Sequence, residues 1–132
     1  MTTSYEPSAW DAWNYSQSSG FTAGSGVSLV DYDVEAIDGG IGKIDEATDA
    51  VDDSYVVVDT GPWIFGKKVM LPAGTISRVD SNDRRVYVEQ TKDQIKNAPE
   101  FDKDTYTGRE YRDRLGDYYG RMESSSRGRT AL

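Results

Sequence analysis

Between residues 34 and 88 the sequence consists of short apolar and β-branched segments separated by turn residues, and this spacing restricts the fold more than any other feature. Residues 55–58 (Tyr-Val-Val-Val) form a continuous run that is typical of a strand buried on both faces. The Asp-Gly pair at 38–39 lies between two apolar segments and predicts a hairpin, because glycine tolerates positive φ. No connection is long enough for the crossover helix of a βαβ unit. The pattern therefore predicts six strands, at residues 34–37, 41–46, 55–58, 67–71, 76–79 and 86–88.

Six strands at this spacing predict a mainly β fold, either a small antiparallel barrel or a sandwich. A small closed antiparallel β-barrel is the preferred prediction, because closure removes the edges that a flat sheet would expose. Thr91 and Gln94 have the spacing of a capping box and predict a short helix that ends before Pro99. A C-terminal amphipathic helix should follow, because five apolar side chains recur on one helical face: Tyr111, Leu115, Tyr118, Tyr119 and Met122. Such a stripe is more typical of packing than of a ligand site, so we expect it to cover the barrel or a second copy of it.

Four segments are predicted along the chain. Residues 1–26 form an aromatic, Gly/Ser-rich arm, residues 27–100 the barrel domain, residues 101–122 the C-terminal helix and residues 123–132 a disordered tail. The arm contains Trp10 and Trp13, and tryptophan is enriched at interface hot spots.

The chain contains no cysteine and no histidine. This composition excludes thiol and histidine catalysis, disulfides, and zinc or haem sites built from those residues.

Residues 61–67 have the spacing of a phosphate-binding loop, but Lys68 stands where a Ser or Thr should hold magnesium, and a strand that ends at a proline follows instead of a helix. We therefore expect no enzyme activity, no catalytic residues, no cofactor and no metal site. Whether the acidic loop 45–53 binds a cation is left open.

The net charge of −8 is unevenly distributed. Residues 1–60 hold 12 acids and one base, whereas residues 61–132 hold 11 acids and 14 bases. An acidic domain disfavours DNA binding, and an uneven charge suits self-association or a partner of opposite pattern, although solubility alone is the commoner reason for such a charge.

No segment approaches the roughly 18 apolar residues of a membrane helix, and the first residues lack the features of a secretory signal. Together with the missing cysteines, this predicts a cytoplasmic protein without a transmembrane segment.

Four segments in this order resemble the PRC-barrel domain family: DGGIGKID at 38–45, YVVVDTG at 55–61, GKKVMLPAG at 66–74 and VYVEQTKDQIKNAPE at 86–100. The last is similar to small stand-alone PRC-barrel proteins of bacteria, particularly actinobacteria. The resemblance implies a small β-barrel that works by contact and has no catalytic residues. Relatives dock on membrane-protein subunits, as in the photosynthetic reaction-centre H subunit, or on a ribosomal protein, as in a 16S rRNA maturation factor. The membrane helix and the extra domain of those relatives are missing here, so neither partner transfers.

The function predicted from these observations is that of a non-catalytic adaptor that binds a protein partner or a second copy of itself. The predicted contact residues are the aromatic side chains outside the strands: Trp10, Trp13, Tyr111, Tyr118 and Tyr119. An RNA- or ribosome-associated factor is the alternative, suggested by one branch of the family and the Ser-Arg-Gly-Arg tail, although RNA contact is the less favoured partner. A hydrolase that uses two carboxylates is weaker still, because no pair of acids stands out.

Overall fold

The computed structural model describes residues 11–16, 19–22, 24–50, 52–61, 68–102 and 104–130, with side chains up to residue 122. Six strands and two helices follow one another: β1 (Asp33–Ala36), β2 (Gly39–Ala47), β3 (Tyr55–Asp59), β4 (Lys68–Pro72), β5 (Ile76–Asp80), β6 (Arg85–Val88), α1 (Lys92–Lys96) and α2 (Arg109–Thr130). The six predicted strands are confirmed, with bounds that differ by no more than two residues. The hairpin turn between β1 and β2 consists of Ile37 and Asp38, because Ala36 pairs with Gly39.

The strands form one sheet in the order β4-β3-β2-β1-β6-β5. Neighbouring strands are antiparallel except for β1 and β6, which pair in parallel with Val34 opposite Val86. The prediction of a purely antiparallel fold is therefore wrong, and the sheet is mixed. Short turn signals report only on pairings between consecutive strands, whereas β1 and β6 are separated by most of the domain.

The two ends of this sheet are joined by only three residues. Strand β4 at one end and β5 at the other are consecutive in the chain, with a short 3-10 turn, Ala73–Thr75, between them. From Pro72 to Ile76 the chain spans at most about 15 Å, whereas the outer strands of a flat six-stranded sheet lie about 24 Å apart. The sheet must therefore be rolled. Among the described strands no ladder joins β4 to β5, so the predicted closed barrel is not found as a closed ring of hydrogen bonds.

The core lies inside the rolled sheet and beneath α2. All four residues 55–58 of β3 are buried, as the continuous apolar run predicts. Ile95 of α1 and the side chains of Tyr111, Leu115 and Tyr119 on α2 belong to the same buried cluster. The apolar stripe of the C-terminal helix therefore packs against its own domain.

The first helix begins as expected, whereas α2 begins at Arg109, eight residues after the predicted start at 101, and ends later than predicted. Thr91 and Gln94 form the predicted capping box, in which each side chain accepts a hydrogen bond from the other residue's backbone N–H. Helix α2 continues to Thr130. It thus passes through most of the segment 123–132 that was predicted as a disordered tail, and the predicted helix end at 122 is corrected. No proline interrupts this segment, and adding a residue to an existing helix costs much less than starting one. No helix within the described ranges is long and apolar enough to cross a membrane.

Candidate functional site

The arm segment, residues 11–16, binds the residue before β3 and the turn between β4 and β5 through its backbone. The backbone N–H of Ser54, just before β3, donates to the carbonyl oxygen of Trp13 at 2.9 Å. The N–H of Gly74, in the turn between β4 and β5, donates to the carbonyl oxygen of Ala12 at 2.8 Å. Both bonds use backbone carbonyl groups of a turn, in which the N–H of Trp13 donates to Asp11 Oδ1 at 3.0 Å.

The ring of Trp13 fills a position between β3 and α2. It makes an edge contact with Tyr55, with ring centroids 6.5 Å apart. The guanidinium of Arg112 lies 4.8 Å from the ring centroid on the α2 side, which is within the range of a cation–π interaction. The same guanidinium pairs with Asp53 at 2.5 Å. We call the surface that receives this ring the Trp13 slot; it consists of Ser54, Tyr55, Gly74, Arg112 and Gly116.

Two glycines make room for the arm segment. A Cβ at Gly74 would collide with the backbone oxygen of Asp11. A Cβ at Gly116, inside α2, would lie 3.2 Å from Nε1 of Trp13. Neither glycine has the positive φ that would by itself favour glycine. Glycine inside a helix costs about 1 kcal/mol relative to alanine, so its presence at 116 has a visible reason in the close approach of Trp13.

Polar contacts hold the exposed side of the arm segment. The side-chain amide of Asn14 donates to Asp11 Oδ2 at 2.7 Å and to Asp52 Oδ1 at 2.8 Å. Its oxygen accepts the backbone N–H of Asp52 at 2.9 Å. One neutral amide therefore separates two carboxylates that would otherwise face each other.

Further along the arm, a surface cleft of about 250 Å³ opens between the arm and the end of β2. The rings of Tyr15 and Phe21 pack on one side with their centroids 4.6 Å apart and their planes tilted by 59°, and the Tyr15 hydroxyl donates to the carbonyl oxygen of Thr48 at 2.9 Å. Burial, and secondarily the negative charge of Asp49, raises the pKa of Tyr15 well above its usual range. We call this the arm cleft; its lining comprises Tyr15, Phe21, Gly26, Val27, Ser28, Leu29, Ala47, Thr48 and Asp49.

Large apolar side chains are exposed next to the arm cleft. Val27 is 47% exposed and lines the cleft, and Val30 is 36% exposed in the same loop. Ile37 is 67% exposed, but it lies at the turn that precedes β2, whereas the cleft lies at the other end of that nine-residue strand. The two valines thus extend the apolar surface of the cleft, and Ile37 is separate from it.

A second cleft of about 250 Å³ lies between β4 and the connection from α1 to α2, and is lined by Lys68, Val69, Met70, Ile95, Lys96, Ala98, Pro99, Glu100 and Phe101. Beside it, the hydroxyls of Tyr106 and Tyr55 donate to the carboxylate of Glu46 at 3.1 and 3.4 Å. Burial, and then the Glu46 carboxylate, raises the pKa of Tyr55 to about 12. These hydrogen bonds satisfy the half-buried carboxylate of Glu46, and the bond from Tyr106 connects the α1–α2 loop to β2.

The structure places the predicted contact residues mostly against their own chain. Trp10 lies outside the described residues. Trp13 and Tyr118 are half-buried, and the Tyr118 hydroxyl donates to the carbonyl oxygen of Gln94 at 2.6 Å. Tyr111 is 3% exposed and Tyr119 is fully buried. Contact of these residues with a partner stays a prediction. Tyr111 and Tyr119 expose almost no surface that a partner could contact in this conformation.

The features that sequence reasoning missed are the arm cleft, the exposed valines and the role of Arg112. No role was assigned to Tyr15, Phe21 or Arg112 from the sequence alone. A weak signal existed in Gly116, since a glycine in a helix without a turn to make indicates close packing.

The acidic loop 45–53 is divided among separate contacts. Asp45 pairs with Lys68 at 2.6 Å, Asp49 accepts the N–H of Gly24 at 2.8 Å, and Asp53 pairs with Arg112. Within the described part of the chain, no group of three or more acidic side chains is arranged to hold a metal ion.

Comparison with known proteins agrees with the fold. The family model of the PRC-barrel domain matches residues 21–95, which is more than half of the 132 residues. A search of curated proteins finds no match to this sequence.

Proposed function

Since this chain belongs to the PRC-barrel domain family, we propose that it is a non-catalytic docking module that binds a protein partner at the apolar rim of the arm cleft. The observation that carries the proposal is the exposure of Val27 and Val30 beside a cleft whose walls include Tyr15 and Phe21. Adjacent exposed apolar side chains at a concave, partly aromatic surface are typical of protein interaction sites. The rolled sheet supplies the rigid support for this surface.

The charge around the cleft indicates the kind of partner. Its lining contains one acid, Asp49, and no base. All the lining residues come from the first 60 residues of the sequence, which carry 12 acids and a single base, Lys43. Complementary charge favours a partner that presents an apolar side chain among basic residues. Such an interaction should weaken as the salt concentration rises.

Affinity purification from the native host tests the proposal. The tagged wild-type chain is compared with a V27S/V30S variant, and I37S serves as the matched control because Ile37 is more exposed but lies at the other end of β2. We expect a protein that is retained by wild type and I37S and lost with V27S/V30S. Its binding should then be measured with purified components at two salt concentrations. Identical recovery with all three chains would contradict docking at this rim.

A second candidate, contact with RNA or the ribosome, is favoured by one observation on the β5–β6 hairpin. The guanidinium of Arg78 lies 4.4 Å from the ring centroid of Tyr87, and that of Arg84 lies 5.3 Å from the ring centroid of Tyr32. Arginine and aromatic side chains together can stack on unpaired bases. Co-sedimentation with ribosomes at low and moderate salt decides this candidate. Wild type should pellet at low salt and R78A/R84A should not; a wild-type chain that stays in the supernatant at both salt concentrations would remove it.

A carboxylate-dependent hydrolase is the weakest candidate. It needs two close carboxylates in a cleft, with one of them held protonated. The arm cleft contains Asp49 as its one acid and the second cleft contains Glu100, so neither offers a pair. The absence of enzyme activity and the cytoplasmic location both stay part of the proposal.

A further inference from the structure

We infer that the Trp13 slot also accepts the arm of a second copy of this chain, so that two copies exchange arms and form a dimer. The inference goes beyond the proposed docking function, because a second copy carries the same acidic residues and is therefore not the basic partner argued for there. It rests on that function only for Val27 and Val30 as contact residues. The juxtaposition that carries it is a fitted slot filled by the turn at residues 11–14, in an arm that a short, exposed connection joins to the core.

The slot is shaped for this particular segment. Backbone N–H groups of Ser54 and Gly74 bind successive carbonyl oxygens of the arm, and the Trp13 ring enters between Tyr55 and Arg112. Because a Cβ at Gly74 would displace Asp11, the domain could not receive the arm in this position with any larger residue there. All the groups that receive the arm segment belong to residues from 48 onwards, on the far side of the connection. A second copy of the arm would therefore find the same complete slot.

The connection between arm and core is suited to an alternative path. Gly24, whose N–H is bonded to Asp49, is the last anchored residue of the arm, and Leu29, at 1% exposure, is the first buried residue of the core. The four residues between them, 25–28, are all exposed. Gly26 lies at φ 87° with no atom within 4 Å of the position of a Cβ, and the hydrogen bonds made by Ser25, Val27 and Val30 join residues no more than three positions apart. We call residues 25–28 the hinge.

Exchange preserves every contact that the arm makes in a single copy, because each is formed again with the partner copy. The two forms differ only at the hinge and in the cost of association. A short flexible connection gives the arm an effective concentration in the millimolar range for its own slot, so the single copy should dominate in dilute solution and the dimer should increase with concentration.

The surface beside the hinge supports a second copy as the occupant. An extended hinge of four residues spans at most about 14 Å, so the two copies of an exchanged dimer must lie side by side there. Val27 is in the hinge and Val30 follows it, and they are two of the three exposed large apolar residues in the described part of the chain. The dimer would cover apolar surface that the single copy leaves in water.

A disulfide trap tests the inference directly, because the natural chain contains no cysteine. The Cβ of Ala12 lies 3.8 Å from the position of a Cβ on Gly116, which is the mean separation in disulfides. Full-length A12C and G116C chains are mixed under mild oxidation, and the products are separated on a non-reducing gel. Exchange predicts a covalent A12C–G116C heterodimer whose yield increases with total concentration. A12C mixed with S81C, a site in the β5–β6 turn, is the control for random collision.

A second variant keeps the test decisive if G116C disturbs the slot. Deletion of Ser25 and Gly26 shortens the hinge, which hinders the arm from reaching its own slot but not that of a neighbour. We expect sedimentation of this variant to show dimers at concentrations where wild type is a single copy. If G116C folds, a heterodimer yield no greater than that of the control pair would overturn the inference. If G116C does not fold, a shortened chain that sediments as a single copy would overturn it. Docking at the valine rim is read separately, by the loss of a host partner with V27S/V30S, so either idea can fail alone.

Discussion

The guanidinium of Arg112 lies 4.8 Å from the ring centroid of Trp13 and at the same time pairs with Asp53. These two contacts connect the arm, the loop before β3 and helix α2 at one point. The side chain of Arg112 is 22% exposed, so its interactions are only partly screened by water. Arg112 is therefore the residue through which helix α2 holds the arm.

Replacing Arg112 with alanine should destabilise the protein. Loss of the cation–π contact and of a partly exposed ion pair should lower the free energy of unfolding by about 1–2 kcal/mol. Urea unfolding followed by circular dichroism measures this. Arg114→Ala, at an exposed position of the same helix, is the matched control and should change little. Equal effects of the two substitutions would show that Arg112 does not hold the arm.

The substitution Gly116→Ala should have little net effect on stability in wild type but should stabilise a Trp13→Ala variant. In wild type the helix gains from alanine, but the new methyl group presses on Nε1 of Trp13, and the two effects offset each other. In a Trp13→Ala background the pressure is absent, so Gly116→Ala should stabilise by about 1 kcal/mol. A double-mutant cycle by urea unfolding gives the coupling between the two positions. Additive effects would contradict the close contact between Trp13 and α2.

Two adjacent tyrosines should respond differently to loss of the hydroxyl. Tyr119 is fully buried, and its hydroxyl has no hydrogen-bond partner among the described residues. Tyr118 donates to the carbonyl oxygen of Gln94 at 2.6 Å. Removing an unpaired buried hydroxyl should be neutral or stabilising, so Tyr119→Phe should leave the melting temperature unchanged or higher, while Tyr118→Phe should lose about 1 kcal/mol. A large destabilisation by Tyr119→Phe would reveal a partner for that hydroxyl.

Stability should fall at alkaline pH. Burial raises the pKa of Tyr55 and of Tyr111 from 10.0 to about 12. Because folding favours the protonated phenol, this contribution is fully present below pH 10 and is lost as the pH rises towards about 12. Urea unfolding at several pH values, together with tyrosinate absorbance, should show a decline over this range and delayed ionisation of these phenols in the folded state. Ionisation of all nine tyrosines around pH 10 without unfolding would contradict it.

Local patterns predicted the strands, the capping box and the buried face of α2 because each depends on residues close together in the chain. The Val56–Val58 run and the Thr91–Gln94 pair act over a few positions and need no knowledge of the rest of the fold. The site was predicted less well. Trp13 was identified as a contact residue, but whether it packs on its own domain or on a partner depends on Ser54, Tyr55 and Gly74, which lie 41 or more positions away.

The sequence by itself determined the strand-rich character of the chain, the periodic core and the absence of cysteine and histidine chemistry. Only the tertiary structure decided that β1 pairs in parallel with β6, that the sheet order stays open between β4 and β5, and that the arm lies in a slot made by two glycines and Arg112. The physical reason is that hydrophobic periodicity reports which side of an element is buried, whereas the partner that covers it is chosen by contacts between distant parts of the chain.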